Sequence, residues 1–263
     1  MRTRSAVAAM SVVTALSVSV TPMAAHAASP AAEADAVFSN VSVNGGKDVV
    51  LGLTTRKTVT ISWTATDPDG ILASWSYLYN GPNVDDMNGY LPHYPPPGDC
   101  TPTSAARTTV NCTLSFGVDA ARDFRKNILA GVWKMPGAVQ DSGDDWTEID
   151  VIGTGRFKRA GKVTVNASPE PVKKGRTITV TGKLTRANWE SRTYTGYQGQ
   201  AVKLQFRKKG SSTYTTLKTI TTGSGGKLRT TTKATGDGYY RFVFAGTGTT
   251  GPSTAAGDYV DVR

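Results

Sequence analysis

His93, two cysteines and a scatter of carboxylates are the residues in this chain with types and spacings suited to chemistry. Of its two histidines, His26 lies in an N-terminal segment expected to be removed, so a Ser-His-Asp or Cys-His arrangement would have to use His93. A catalytic base is held rigidly and oriented by a third group. His93 instead follows Pro92, precedes Tyr94 and Pro95-Pro96-Pro97, and reads as a loop residue packing its ring on its neighbours. Paired carboxylates can run glycoside hydrolysis, but nothing in the spacing sets one acidic pair apart, and no motif marks a lysine nucleophile. The expectation is a protein that is not an enzyme.

The acidic residues suggest calcium as the one candidate ion, and no other cofactor. Asp67-Pro68-Asp69-Gly70 follows an apolar run, and Asp85-Asp86 and Asp141-Ser142-Gly143-Asp144-Asp145 fall in later loops. Calcium takes about six to eight oxygens, and loops at one end of a sandwich could supply them from Asp67, Asp69, Asp144 and Asp145. The EF-hand pattern is not met, because the closing acidic position of a loop begun at Asp67 falls on Leu78. The alternative is that Asp-Pro-Asp-Gly is a tight turn, which these residues form without metal.

Basic residues cluster at Lys173-Lys174-Gly175-Arg176, Arg207-Lys208-Lys209 and Lys227-Leu228-Arg229. Such clusters attract polyanions: an anionic cell-wall polymer, or in vitro a nucleic acid, which is not expected as the physiological partner. The alternative is a charged, soluble surface whose lysines discourage edge-to-edge sheet pairing. Aromatic residues offer a further surface. Tyr90, His93 and Tyr94, with Tyr79, and the segment Trp189–Tyr197 could stack on a glycan or a protein partner, or could pin their loops to the fold. Trp63 and Trp75 read as core.

The chain begins with Arg2 and Arg4, an apolar stretch from Ala6 to Val20, and Ala25-His26-Ala27. This is the form of an export signal with cleavage after Ala27; the apolar stretch is short of the ~20 residues of a membrane span. Residues 1–27 are therefore assigned as a signal peptide, and the mature chain as secreted, extracellular or cell-wall associated, without a transmembrane span. In an oxidising compartment Cys100 and Cys112, the only cysteines, are expected to form a structural disulfide. The loop it closes is short, so chain entropy limits its contribution to about 3 kcal/mol.

Charge divides the remainder. Residues 28–159 carry 11 Lys+Arg and 15 Asp+Glu, and residues 160–263 carry 17 and 5. That asymmetry predicts two domains, 28–159 and 160–263, with different surfaces.

Residue alternation agrees. In the C-terminal half, Lys162–Ala167, Arg176–Leu184, Ala201–Arg207, Tyr214–Ile220, Lys227–Lys233, Tyr239–Phe244 and Tyr259–Val262 read as short strands of period two, bounded by Gly, Ser or Asp. Seven such strands in about 100 residues predict an immunoglobulin-like sandwich. Tyr239 or Tyr240, just after Asp237-Gly238, has the position of that fold's tyrosine corner. In the N-terminal half Val37–Val43, Thr58–Thr66, Ile71–Tyr79, Val110–Phe116, Ile128–Met135 and Thr147–Gly153 read as strands. The Pro- and Gly-rich segment from Tyr79 to Cys100 is unsuited to a central strand. The fold class expected is all-β: two tandem immunoglobulin-like β-sandwich domains, the first with a long Pro-rich loop.

The stretches ASPEPVKKGRTITVTGKLTRANWE, VKLQFRKKGSSTYTTLKT, DGYYRFVFAGT and AGDYVDV resemble a family of secreted proteins from high-GC Gram-positive bacteria. Its members pair a variable N-terminal domain with a C-terminal immunoglobulin-like domain. They are mostly uncharacterised, and some carry a calcium-binding label. The resemblance covers about the last 105 residues strongly and the preceding 120 loosely; it implies this architecture and secretion, and transfers no catalytic residue. The resulting expectation is a non-enzymatic, envelope-associated binding protein, its first domain for recognition and its second an anchor for anionic cell-wall polymer. The alternatives are a structural module binding another extracellular protein, or a calcium-binding secreted protein.

Overall fold

The computed structural model describes residues 35–93 and 96–263, so the expected signal peptide and Tyr94 lie outside the described residues. Ten strands build the first half: β1 (Val37–Val43), β2 (Val49–Leu51), β3 (Arg56–Thr66), β4 (Ile71–Ser76), β5 (Leu78–Asn80), β6 (Gly89–Leu91), β7 (Asp99–Pro102), β8 (Thr109–Asp119), β9 (Gly131–Asp141) and β10 (Trp146–Arg159). One sheet has the order β1-β3-β8-β7; the other runs β2-β10-β9-β5-β6, with β4 also paired to β9. All pairs are antiparallel except β2 with β10, which is parallel. This is an immunoglobulin-like sandwich with a GFC-type sheet opposite an ABED-type sheet.

Alternation explains why the two sheets close on each other. Along β8, Val110, Cys112, Leu114, Phe116 and Val118 are buried while the intervening residues are exposed. Across the register they meet Ala65, Trp63, Ile61, Val59 and Lys57 of β3. Cys100 of β7 lies directly opposite Cys112 of β8, and the two form the expected disulfide. It joins neighbouring strands of one sheet and leaves the bridge between sheets to packing. Gly137 of β9 makes that packing possible at one point: a Cβ there would stand 2.7 Å from the ring of Phe38 of β1.

The second half contains β11 (Gly161–Val163), β12 (Asn166–Ser168), β13 (Thr177–Asn188), β14 (Thr193–Gly196), β15 (Ala201–Lys208), β16 (Thr215–Thr221), β17 (Lys227–Lys233), β18 (Gly238–Phe244), β19 (Ser253–Thr254) and β20 (Asp258–Val260). Strand β13 pairs with β11, β12, β14 and β17; the facing sheet is β16-β15-β18 followed by β19 and β20. Val180, Leu184, Val202, Leu204, Leu228, Phe242 and Phe244 fill the space between them.

Several elements differ from the sequence expectation. β2, β7 and β14 are short strands without a clear period. Ile71–Tyr79 is two strands, and the strand expected from Ile128 begins at Gly131 because Asn127–Leu129 forms a 3-10 turn. The strand expected at Thr147–Gly153 continues to Arg159, with a register shift between Ile149 and Gly153.

The join between the sandwiches is the least expected feature. Ala160 alone separates β10 from β11. Trp189, just after β13, is fully buried in the core of the first sandwich. Its ring lies 4.8 Å from Phe124, which also packs on Trp133 and Phe157. Its indole N–H donates to the Gly52 carbonyl at 3.0 Å. A polar collar surrounds this knob: Asn127 Oδ1 accepts from Trp189 N and from the Arg159 guanidinium, and Arg192 donates to the carbonyls of Leu53, Ala120 and Ala121. Of the two readings of the Trp189–Tyr197 segment, pinning holds for Trp189, whose buried ring cannot stack on a sugar.

Candidate functional site

Two of the three basic clusters come together. Lys173, Lys174 and Arg176 sit in the exposed turn entering β13, where Gly175 has φ +80°. Lys174 N donates to the Arg263 carbonyl and Gly175 N to Ala234, while Lys209 N donates to the carbonyl of Asp237 in the same β17–β18 turn. Arg207, Lys208 and Lys209 therefore share one end of the second sandwich with Lys173, Lys174 and Arg176. Since β13 runs from Thr177 at this end to Asn188 at the Trp189 junction, the basic end is the one remote from the first sandwich. Lys227 and Arg229 begin β17 and belong to the other end.

An adjoining sheet face extends the basic surface. Register places Gln205 beside Arg241, and Arg207 beside Tyr239, which in turn pairs with Tyr259. The Arg241 guanidinium lies over the Tyr214 ring at 3.6 Å, and Arg207 over Tyr239 at 4.2 Å. Stacking holds each guanidinium plane; Arg207 Nη1 also donates to the Ser211 carbonyl at 2.6 Å, so only the remaining N–H groups can meet an anion. Arg241 also donates to Gln205 Oε1 at 2.9 Å. Lys209 is held above the usual lysine range by its hydrogen bonds to Tyr259 and Asp237. Of the two neighbouring tyrosines, Tyr240 is the buried one, 4.8 Å from Phe206, and burial pushes its hydroxyl up.

Asp67 and Asp69 meet a third carboxylate, but it is Asp141; one ligand oxygen from each lies within 4.8 Å of the others. Asp144 instead accepts from Gln140, and Asp145 is exposed at the start of β10. The buried Asp67 and Asp141 each shape a turn. Asp67 Oδ1 accepts from Asp69 N, and Asp141 Oδ1 accepts from Gly143 N and Asp145 N. With those two oxygens engaged, backbone carbonyls or water would have to complete a shell of about six to eight ligands.

Tyr90 and His93 pack edge to face at 5.2 Å. His93 Nε2 stands 3.7 Å from Asp123 Oδ1, whose carboxylate is buried and already accepts from Asp119 N and from Arg122. That carboxylate therefore anchors a turn.

A further surface, missed in the sequence, lies on the outer face of β4, β9 and β10. Trp75 is half-buried there and faces outward, correcting its assignment to the core. It stacks on Trp146 at 5.0 Å with 27° between planes. Trp75 lines a groove of about 140 Å³ together with Tyr77, Val84, Ala138, Glu148, Ile149 and Asp150. After Ile71, the inward positions of β4 are Ser74 and Ser76, made tolerable by hydrogen bonding. Ser74 Oγ accepts the Trp63 indole N–H at 2.8 Å and donates to the Ala138 carbonyl, and Ser76 donates to Pro136. The signal was parity, since Leu78 shares the inward side with both serines and leaves Trp75 and Tyr77 outside.

The fold and these surfaces define an all-β, immunoglobulin-like protein with surfaces of opposite charge on its two sandwiches. No protein-family description matches the chain, and no curated protein sequence matches it. Solved structures with similar strand arrangements include the fibronectin(III)-like modules of Clostridium thermocellum CbhA, at 13% identity over 84% of this chain and 92% of that one, TM-score 0.33. The three N-terminal domains of the bacteriophage RB49 Highly Immunogenic Outer Capsid protein match at 7% identity over 87% and 70%, TM-score 0.36. The mouse nectin-like molecule 4 ectodomain matches at 14% identity over 88% and 65%, TM-score 0.29. At these scores the likenesses carry no functional weight. Among the described residues no helix is long and apolar enough to cross a membrane.

Proposed function

We propose that the protein is an exported, non-enzymatic binding module of the cell envelope, its second sandwich engaging an anionic wall polymer and its first carrying specific recognition. The observation that supports this most is the convergence of Lys173, Lys174, Arg176, Lys208 and Lys209 on one end of the second sandwich, beside the Arg207/Arg241–tyrosine face. Guanidinium and ammonium groups gathered this way bind phosphate- or carboxylate-rich polymers through counter-ion release and charge-assisted hydrogen bonds. The disulfide fits an oxidising compartment.

The test is co-sedimentation of the full chain with purified cell walls across a salt series. The expected result is binding that weakens steeply with salt and is lost in the combined Lys173→Ala, Lys174→Ala, Lys208→Ala, Lys209→Ala variant. Salt-insensitive binding, or retention by that variant, would overturn the anchor role. An arm with and without calcium tests the Asp67/Asp69/Asp141 cluster, since binding only with calcium would favour the metal reading. A protein-interaction module is the second reading, and the aromatic groove of the first sandwich favours it.

A further inference from the structure

We infer that the groove between β4 and β10 of the first sandwich receives a cationic side chain, the arginine or lysine of a partner polypeptide. This rests on the reading of the first sandwich as the recognition half. The aromatic wall is Trp75, with Tyr77 beside it; Trp75 is half-buried and carries Trp146 stacked on it, 53% exposed, and Ile149 of the lining is also exposed. A cation against such faces is attracted by the ring quadrupole, most strongly by tryptophan.

Charge selects the occupant. Glu148 and Asp150 line the groove, and Asp85 contributes to the same field; among the described residues none of the three forms an ion pair. The Tyr77 hydroxyl is pushed above its usual range, first by burial and then by Tyr79 and these three carboxylates. Lys134 of β9 is engaged elsewhere, donating to the Pro82 carbonyl at 2.6 Å. The second sandwich supplies its own tyrosines with guanidinium groups, at 3.6 Å for Arg241 over Tyr214. The tryptophan pair with its carboxylates is the complementary half of such a contact, with the cation left to come from outside. A neutral sugar ring could stack on the indoles but would leave the carboxylate charge uncompensated.

Size agrees. The groove, about 140 Å³, is well below the ~300–1,000 Å³ of pockets that enclose whole small molecules. It has room for the end of one side chain, with the partner backbone lying outside along the sheet.

The experiment is a titration of the full chain, followed through the indole N–H resonances of Trp75 and Trp146, with Nα-acetyl-arginine amide. The uncharged Nα-acetyl-citrulline amide and methyl β-glucopyranoside serve as comparison probes. The expected result is saturable shifts with the arginine probe alone, and affinity about tenfold weaker in the Glu148→Gln, Asp150→Asn double variant. Unshifted resonances of the buried Trp63 and Trp189 report that the variant is folded. Equal response to arginine and citrulline, or indifference to the double variant, would overturn the cation assignment. A response to the glucoside alone would overturn it too, while keeping the first sandwich as the recognition half. No response to any of the three probes would overturn both.

Discussion

Asp237 shows how single carboxylates tie the second sandwich together. Its side chain accepts the Val262 amide at 2.9 Å and faces Lys209, and chiefly the amide holds its carboxyl below the ordinary 3.8. A carboxyl depressed in the folded state stabilises above its unfolded pKa, and that contribution is lost as pH falls through the folded value. Melting temperature should therefore decline as pH drops below 3.8, and Asp237→Asn should be less stable at neutral pH with a shallower acid decline, as a calorimetric pH series would record. The Cys100–Cys112 bond closes a short loop, so reduction should cost at most about 3 kcal/mol. Denaturant titration with and without reductant measures this; a larger loss would mean that reduction also disturbs the packing around the two sulfurs.

At the scale of elements, β4 separates what periodicity can and cannot convey. Strand β8 was legible because its buried face is uniformly apolar, and so were β15 and β18; β13 was legible only to Leu184 although it runs on to Asn188, and β17, with only Leu228 fully buried and apolar, was legible from its flanking turns. In β4 the small polar residues point inward and the large aromatics outward, an inversion that holds because Ser74 completes a relay from Trp63 to Ala138. Ser74→Ala should then cost about 1–3 kcal/mol through the orphaned indole N–H, measurable by urea unfolding; a neutral effect would mean water replaces the hydroxyl. The disulfide was readable from two lone cysteines, and the basic clusters from composition. That two of the three meet at one end, while Lys227 and Arg229 lie toward the other, depended on turns β12–β13, β15–β16 and β17–β18 being neighbours, which only the strand order settles. Asp141 joined Asp67 and Asp69 for a similar reason: its turn is adjacent in space through Ser142 N and the Gly70 carbonyl.

For the whole molecule, the decisive residue is Trp189. Nothing local to Asn188-Trp189-Glu190 indicates that its ring fills the other sandwich, because the cavity it enters is made by Phe124, Trp133 and Phe157 from distant parts of the chain. Trp189→Ala should destabilise the chain by about 3–5 kcal/mol. Trp189→Phe should cost less, keeping most of the volume but losing the hydrogen bond to Gly52. Urea unfolding should show the wild-type chain melting in one transition and the alanine variant in two; a single unshifted transition for that variant would show the knob to be dispensable. The halves carry opposite charge yet share this core.

That shared core also determines how news of binding travels. An anion held at the basic end stabilises whatever unfolds together with it, in proportion to the logarithm of its concentration over its dissociation constant. With Trp189 in place, that includes the amides of β9 and β10 around Phe124 and Trp133, far from the anion itself. Polyanion bound to the second sandwich should thus slow hydrogen exchange in the first, and Trp189→Ala should confine the protection to the half that holds the ligand.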